Sequence, residues 1–425
     1  MTDTIFALSS GRPPAAISVI RISGPEAHHV AKRMCGTLPE PRTAAVREIR
    51  HPSRGELLDE ALILRFDAPA SATAENIVEF QCHGGRAVVD AVLAALGEIK
   101  GVREAQPGEF TRRAFENGRI DLTEAEGLAD LIEAETESQR KAALALAEGG
   151  LKKQIAAWQD RVLAFSAMAE RAIDYDEHDI AVDAAFQRDC GVLASELQQW
   201  LKRPRAEPLK HGVRIVVAGP PNAGKSSLIN AIAGEDRVIV TDIPGTTRDH
   251  VEVPLSLGGV PILLTDTAGL RETSDRVEAI GVERAERLTE LADILLWLGA
   301  PEDAPPHRCL VQIHAKADLP ARATARAGSR MVSAVTGAGL AELLQVVENA
   351  ARAVLPAEDA IALNRRQSQY LEEAERAVSS AAASTDWLLI AEDLRAARTA
   401  FDRLTGRAGV DDMLDALFGR FCLGK

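Results

Sequence analysis

The sequence has no run of about eighteen apolar residues, the length a helix needs to cross a bilayer, so no membrane span is expected. Its opening stretch, MTDTIFALSS, lacks the basic segment and apolar run of a secretory leader, and a cytoplasmic protein is the expectation. Cysteine is sparse: Cys35, Cys82, Cys190, Cys309 and Cys422 show no Cys-x-x-Cys spacing, which argues against a zinc knuckle and a disulfide framework. Most should be buried small apolar residues. Basic charge is in deficit, with a formal net charge of -14, so broad electrostatic adhesion to nucleic acid is not expected and any RNA contact needs a local patch or a partner. There is no internal repeat and no low-complexity segment.

What is present is 425 residues with 46% hydrophobic content, enough for several packed domains. Before residue 116, ISVIRISG, ALILRF and NIVEFQCHGG read as strands and GRAVVDAVLAALGEI as a helix, which suggests an α+β domain. From about 120 to 205 the pattern is helical. TEAE at Thr123–Glu126 has capping-box form, and Leu151, Ile155, Trp158, Val162 and Phe165 recur at steps of three and four, the stripe of a core face. The same texture returns after about 356, where Gly406 suits the position just past a helix end. Between them, VRIVVAG, VPILLTDTAG, ADILLWLG and CLVQIHAKAD alternate with helical stretches, as a mainly parallel α/β sheet requires. The expected domains are 1–118, 119–210, 211–355 and 356–425, with an α/β domain interrupting a discontinuous helical one.

The strand VRIVVAG runs straight into GPPNAGKSS, so Gly219, Gly224, Lys225 and Ser226 fill G-x-x-x-x-G-K-S in a strand-loop-helix setting. Backbone N–H groups and a helix N-terminus can cradle phosphates there, Lys225 can neutralise the β and γ groups, and Ser226 can hold magnesium. DTAG, from Asp266, ends the next apolar strand and offers a carboxylate for the magnesium shell. TDIPGTTRD lies between the two and offers Thr247 as a second hydroxyl for the metal. AKAD follows a further strand, and its Asp318 can pair with the N1–H and amino group of guanine. Four motifs in this order predict a GTP site.

Three other stretches admit more than one reading. CHGG at Cys82–Gly85 is either a tight turn with a capped histidine or part of a ligand pocket; an oxyanion loop fails for want of a G-x-S-x-G nucleophile. DYDEHD at 174–179 is a metal cluster or a solvated helix end. The closing FGRFCLGK has the outline of a prenylation box, but Gly424 stands where an aliphatic residue belongs. That leaves a reactive Cys422 thiol or a packed, functional terminus, and the apolar Met413, Leu414, Leu417 and Phe418 favour packing.

The motif order resembles the translation-factor class of GTPases. The extended run GPPNAGKSSLIN, TDIPGTTRD and DTAGLRETSDRVEAIGVERA is similar to the tRNA modification GTPase family called TrmE or MnmE. GRPPAAISVIRISG, EFQCHGG, PGEFTRRAFENGRIDLTEAE and FCLGK also have counterparts in that family, so the resemblance covers nearly the whole chain. It implies a homodimer acting on tRNA with an FAD-dependent partner protein in a heterotetramer, flavin entering only through that partner. The implied reaction places an aminomethyl or carboxymethylaminomethyl group on carbon 5 of the wobble uridine, gated by GTP hydrolysis. The one-carbon unit would come from a tetrahydrofolate derivative held by Arg21, Glu79, Arg119 and Lys425, with arginine at 119 where the family usually has lysine.

For the nucleotide, the resemblance implies five groups of residues. They are Asn222, Ala223, Gly224, Lys225, Ser226 and Ser227; Thr241, Asp242, Ile243, Pro244, Gly245, Thr246 and Thr247; Asp266, Thr267, Ala268 and Gly269; Ala315, Lys316, Ala317 and Asp318; and Ser333 with Ala334. Magnesium would sit on Ser226 and Thr247, and potassium on Asn222, Thr241, Ile243 and Thr246, where it replaces an arginine finger. Leu270 stands where Ras-like enzymes carry glutamine, and the resemblance gives the water-orienting role to Glu278. The clearest departure is Ala315, since the family pattern is Asn-Lys-x-Asp; guanine preference should persist through Asp318 with weaker binding. The alternative class, a GTP-dependent switch in ribosome assembly, accounts for 211–355 but not for the flanking regions.

Overall fold

The computed structural model describes residues 3–174, 181–235, 238–240, 252–266, 287–322, 324, 328–357, 360–408, 411–419, 421 and 424. It divides into two compact units, one of residues 1–129 with 405–425 and one of residues 130–404.

The first unit is built on six strands: β1 (Thr4–Leu8), β2 (Ile17–Ser23), β3 (Ala45–Arg50), β4 (Leu57–Phe66), β5 (Ile77–His83) and β6 (Val102–Glu104). Their order is β3-β4-β5-β2-β1-β6, antiparallel except where β6 runs beside β1. Side chains alternate between the faces of a strand, so Ile20 and Ile22 of β2 join Val78 and Phe80 of β5 on one side. There they bury against Val30 and Met34 of the helix Ala27–Cys35 and Val89, Val92 and Leu96 of the helix Arg86–Gly97. The other face carries Ile5 and Ala7, which pack with Phe110 from the helix Glu109–Glu116. That helix is held by Arg113, 1% exposed, which pairs with Asp3, Glu75 and Glu109.

The chain end belongs to this unit. Leu414 and Phe418 of the helix Asp411–Phe418 are buried, Leu417 is half-buried, and the Phe418 ring lies between Phe115 at 6.2 Å and Phe421 at 6.1 Å. Ser9 Oγ donates to Gly424 O at 2.7 Å. Gly424 has φ +93, and a Cβ there would stand 2.0 Å from Leu8 O, so only glycine allows this approach. Gly406 follows the helix Trp387–Thr405, as expected.

One sequence expectation needs correction. The helix beginning near TEAE spans Leu122–Glu133, and its box is made by Asp121 and Glu124 rather than Thr123 and Glu126. Asp121 Oδ1 accepts from Glu124 N at 2.9 Å and from Thr123 Oγ1 at 2.7 Å, while Asp121 N donates to Glu124 Oε2 at 2.7 Å. A carboxylate outcompetes a hydroxyl as acceptor, so Thr123 becomes a donor inside the box.

In the second unit, helices from both sides of the α/β segment share one core, as a discontinuous helical domain requires. Leu151, Ile155, Trp158, Val162 and Phe165 of the helix Gly150–Asp174 are all buried in it, with Cys190 and Leu193 of Ala184–Leu201, Leu371 of Arg365–Ala383, and Leu394 and Phe401 from Trp387 onward. Trp158 meets the edge of Trp200 at 5.3 Å and stacks on Phe401 at 6.0 Å.

The remaining core belongs to a seven-stranded sheet: β7 (Val213–Ala218), β8 (Val238–Val240), β9 (Glu252–Leu257), β10 (Val260–Asp266), β11 (Ile294–Trp297), β12 (Leu310–Ala315) and β13 (Arg330–Val332). The order β13-β12-β11-β7-β10-β9-β8 is parallel from β13 to β10, with β9 and β8 added antiparallel at one edge. The β9–β10 turn is gripped from outside the sheet. Ser138 Oγ, on the helix Glu137–Ala147, donates to Gly259 O at 2.9 Å, and Arg352, on the helix Leu340–Val354, donates to Gly258 O at 2.6 Å.

Candidate nucleotide and pterin sites

Parallel strands end on one side, and a ligand crevice forms beyond their carboxyl ends. Here β7 ends in the loop 219–224, β10 in Asp266, β12 in Ala315 and β13 just before Ser333. Gly224 (φ +103) starts the helix Lys225–Ala233, and the preceding turn also needs Asn222 at φ +59. These left-handed residues turn successive N–H groups toward one point, the arrangement that binds anions.

Lys225 is 7% exposed, and its ammonium donates to Gly219 O at 2.9 Å and Pro220 O at 3.0 Å, which folds it back over the loop. Ser226 Oγ donates to Asp266 Oδ2 at 2.6 Å. Two hard oxygen donors side by side at a phosphate-binding helix suit magnesium, which takes one or two protein oxygens and completes its shell with phosphate and water. Among the described residues no cluster of three or more His, Cys, Asp or Glu forms a metal site.

The third part of the site is the β12–β13 end. Lys316, at φ +64, donates to Asn222 O at 2.7 Å and so ties this loop to the phosphate loop. Ala317 N donates to Val332 O at 3.2 Å. Ser333, fully buried, donates through Oγ to Asp318 Oδ1 at 2.6 Å, and this hydrogen bond holds the exposed Asp318 carboxyl below its ordinary value. Asn222 to Ser227, Asp266, Ala315 to Asp318, and Ser333 with Ala334 therefore gather at one edge of the sheet. Thr241 to Thr247, Thr267 to Gly269 and Glu278 lie outside the described residues.

In the first unit Arg21 and Glu79 stand directly opposite each other on β2 and β5. Arg21 Nε donates to Glu79 Oε1 at 2.8 Å, and its guanidinium lies 5.6 Å from the Phe110 ring centroid. Both side chains are partly buried, at 24% and 14% exposure, leaving a charged pair on an aromatic floor. Arg119 is exposed and closes the turn after Glu109–Glu116 through its N–H to Ala114 O at 2.8 Å. Lys425 and Cys422 lie outside the described residues. Phe110 and its anchor Arg113 were not singled out from sequence, although both sit in PGEFTRRAF.

The remaining ambiguous stretches resolve in part. His83 is the last residue of β5, not a turn residue; its Nδ1 lies 2.7 Å from Asp59 Oδ1 and its N–H donates to Asp59 Oδ2 at 2.8 Å. DYDEHD lies outside the described residues beyond Asp174. Burial pushes the Cys35 thiol up to about 11 and the Cys82 and Cys190 thiols up to about 12, as inert core residues behave. Among the described residues no helix is long and apolar enough to cross a membrane.

A family model described as the MnmE helical domain matches residues 122–422, and one described as the GTP-binding protein TrmE N-terminus matches residues 4–119. The chain is 50% identical over 437 residues to the tRNA modification GTPase MnmE of Novosphingobium aromaticivorans, covering 100% of both. It is 51% identical over 429 residues to the protein of the same name from Rhizorhabdus wittichii, covering 100% of this chain and 97% of the other. Among solved structures, the G domain of the T. maritima FeoB iron transporter matches 33% of this chain and 98% of its own, at 26% identity and a TM-score of 0.24.

Proposed function

The chain belongs to the MnmE family of tRNA modification GTPases, and we propose that it hydrolyses GTP to drive modification of the wobble uridine of certain tRNAs. The observation that carries the nucleotide half is the Ser226–Asp266 contact at 2.6 Å beside the Lys225 loop. A hydroxyl, a carboxylate and a lysine within one crevice support that reading. In this reading the loop N–H groups and Lys225 bind and orient the phosphates, while Asp318 accepts from the base. Magnesium on Ser226 and Thr247 would neutralise phosphate charge, and potassium on Asn222, Thr241, Ile243 and Thr246 would do so where other GTPases use an arginine. Glu278 orients the attacking water, Leu270 being unable to.

The uridine half of the proposal rests on the Arg21–Glu79 pair. A pterin carries ring N–H and amino donors that a carboxylate such as Glu79 accepts, and Phe110 supplies a flat apolar surface beside them. Arg119 and Lys425 would meet the anionic tail of a tetrahydrofolate derivative. The protein would act in the cytoplasm as a homodimer with an FAD-dependent partner.

Mass spectrometry of wobble uridines, with and without the gene, tests the whole reading. Loss of the carbon-5 substituent is expected, and unchanged nucleosides would remove it. Replacing potassium by sodium should slow GTP hydrolysis sharply at saturating magnesium; equal rates would remove the potassium site. Glu278→Ala should keep GTP affinity and lose turnover, and normal turnover would free that residue of its role.

A further inference from the structure

We propose that this chain reads guanine by its hydrogen-bond-donor edge and leaves N7 unread, so that the base site is indifferent to the nitrogen at that position. The inference rests on the GTPase reading above and sharpens it to a statement about which atoms of the base are recognised.

Guanine presents two kinds of edge. N1–H and the amino group donate, whereas O6 and N7 accept. An ionised carboxylate only accepts, so Asp318 takes the donor edge, and it is held ionised and oriented by the Ser333 hydroxyl at 2.6 Å. The ribose and phosphates hang from N9, in the same five-membered ring as N7. With the phosphates on the loop 219–224 and the donor edge on Asp318, that ring falls beside Ala315 and Lys316, which bridge the two loops through the Lys316 bond to Asn222 O.

Neither side chain supplies a donor to N7. Ala315 is 7% exposed, and its Cβ lies 4.0 Å from where a Cβ on Gly224 would stand, so position 315 faces the phosphate loop with a bare methyl group. Lys316 runs its stem along the same loop, Cε 3.5 Å from that point, and carries its ammonium onto Asn222 O at 2.7 Å. Three further donors nearby are committed elsewhere: Ala317 N to Val332 O, Ser333 N to Ala338 O, and Ser333 Oγ to Asp318. A carboxamide at 315 would restore a donor at the point where the methyl now ends.

The test compares GTP with 7-deaza-GTP, which replaces N7 by a C–H group, in equilibrium binding to the full-length natural protein, with inosine triphosphate and ATP as controls. The two guanine nucleotides should bind within about twofold of each other. Inosine triphosphate, lacking the amino donor, should bind about tenfold more weakly, the scale of one hydrogen bond to a charged group. In Ala315→Asn, GTP should gain about threefold to tenfold over 7-deaza-GTP. A natural protein that prefers GTP to 7-deaza-GTP by fivefold or more would overturn the inference while leaving guanine recognition in place. If ATP competes as well as GTP, guanine recognition itself falls, and the inference with it.

Discussion

The two sheets offer their ligands different materials. In the proposed reading the seven-stranded sheet would meet its ligand end-on, where parallel strands stop together and backbone N–H groups, a lysine and short-range turns form the crevice. In the same reading the six-stranded sheet would meet its ligand side-on, where Arg21 and Glu79, 58 residues apart, come together only because β2 and β5 pair in one register. A one-residue slip of either strand would turn its side chain to the opposite face and part the pair. A strand-end site thus tolerates change in its sheet, whereas a sheet-face site is only as good as the fold beneath it.

The largest expected effect separates the two sites outright. Lys225→Ala should weaken GTP binding by about a hundredfold or more, since it removes a charged donor to phosphate, yet leave folate affinity within about twofold. Arg21→Ala should do the reverse. Titration of each variant with a fluorescent GTP analogue and with a reduced folate checks both, and a variant that loses both ligands equally would dissolve the distinction.

A second test strikes the fold beneath the sheet-face site. Arg113→Met removes the buried guanidinium between Glu75 and Glu109, leaving Glu109 to Arg103, and should cost about 3 kcal/mol, seen as a lowered unfolding midpoint in calorimetry. Folate affinity should fall with it, because Phe110 is one helical neighbour away. GTP hydrolysis at a temperature where the variant is folded should change little.

At the chain end, Gly424→Ala pushes a methyl against Leu8 O and should reduce tRNA modification about tenfold with GTP turnover retained. Full modification by this variant would show that the position of Lys425 does not matter. Cys422→Ser should modify normally; total loss with folate still bound would restore the reactive-thiol reading.

The smallest expected effect is at the strand-end site. Ser333→Ala removes the hydrogen bond that keeps the Asp318 carboxyl below its ordinary value, so GTP affinity should fall about threefold near neutral pH. The sign follows from the direction of the shift. The charged acceptor is present above the ordinary carboxylate range and is lost as pH falls through the lowered value, so the variant should lose GTP at a higher pH than the natural protein. Coincident binding curves down to mildly acidic pH would count against Asp318 as the base acceptor.

The same contrast governs what could be read before the structure. The phosphate loop is contiguous, and VRIVVAGPPNAGKSS declares strand, turn and helix within one stretch. Arg21 and Glu79 carry no local signal, and only resemblance pointed to them. Phe110 and Arg113 escaped notice because, Glu109 apart, their partners Asp3, Glu75 and Ile5 are distant in sequence and leave no short-range pattern. The strands β1, β3, β6, β8, β9 and β13 were missed, β6, β8 and β13 because three residues are too few for an alternation to register. The misplaced capping box shows the limit at a helix end, where Asp121 and Thr123 both qualify by type and only geometry ranks them.

The gripped β9–β10 turn gives the nucleotide crevice a mechanical connection. β10 is seven residues long, roughly 23 Å at about 3.3 Å per residue, with Asp266 at one end and the Ser138-bound Gly259 just before the other. Paired on both sides by β9 and β7, it has little freedom to buckle. It therefore behaves as a strut: a push on Asp266 along the strand is delivered to the helix Glu137–Ala147 as displacement rather than absorbed as bending.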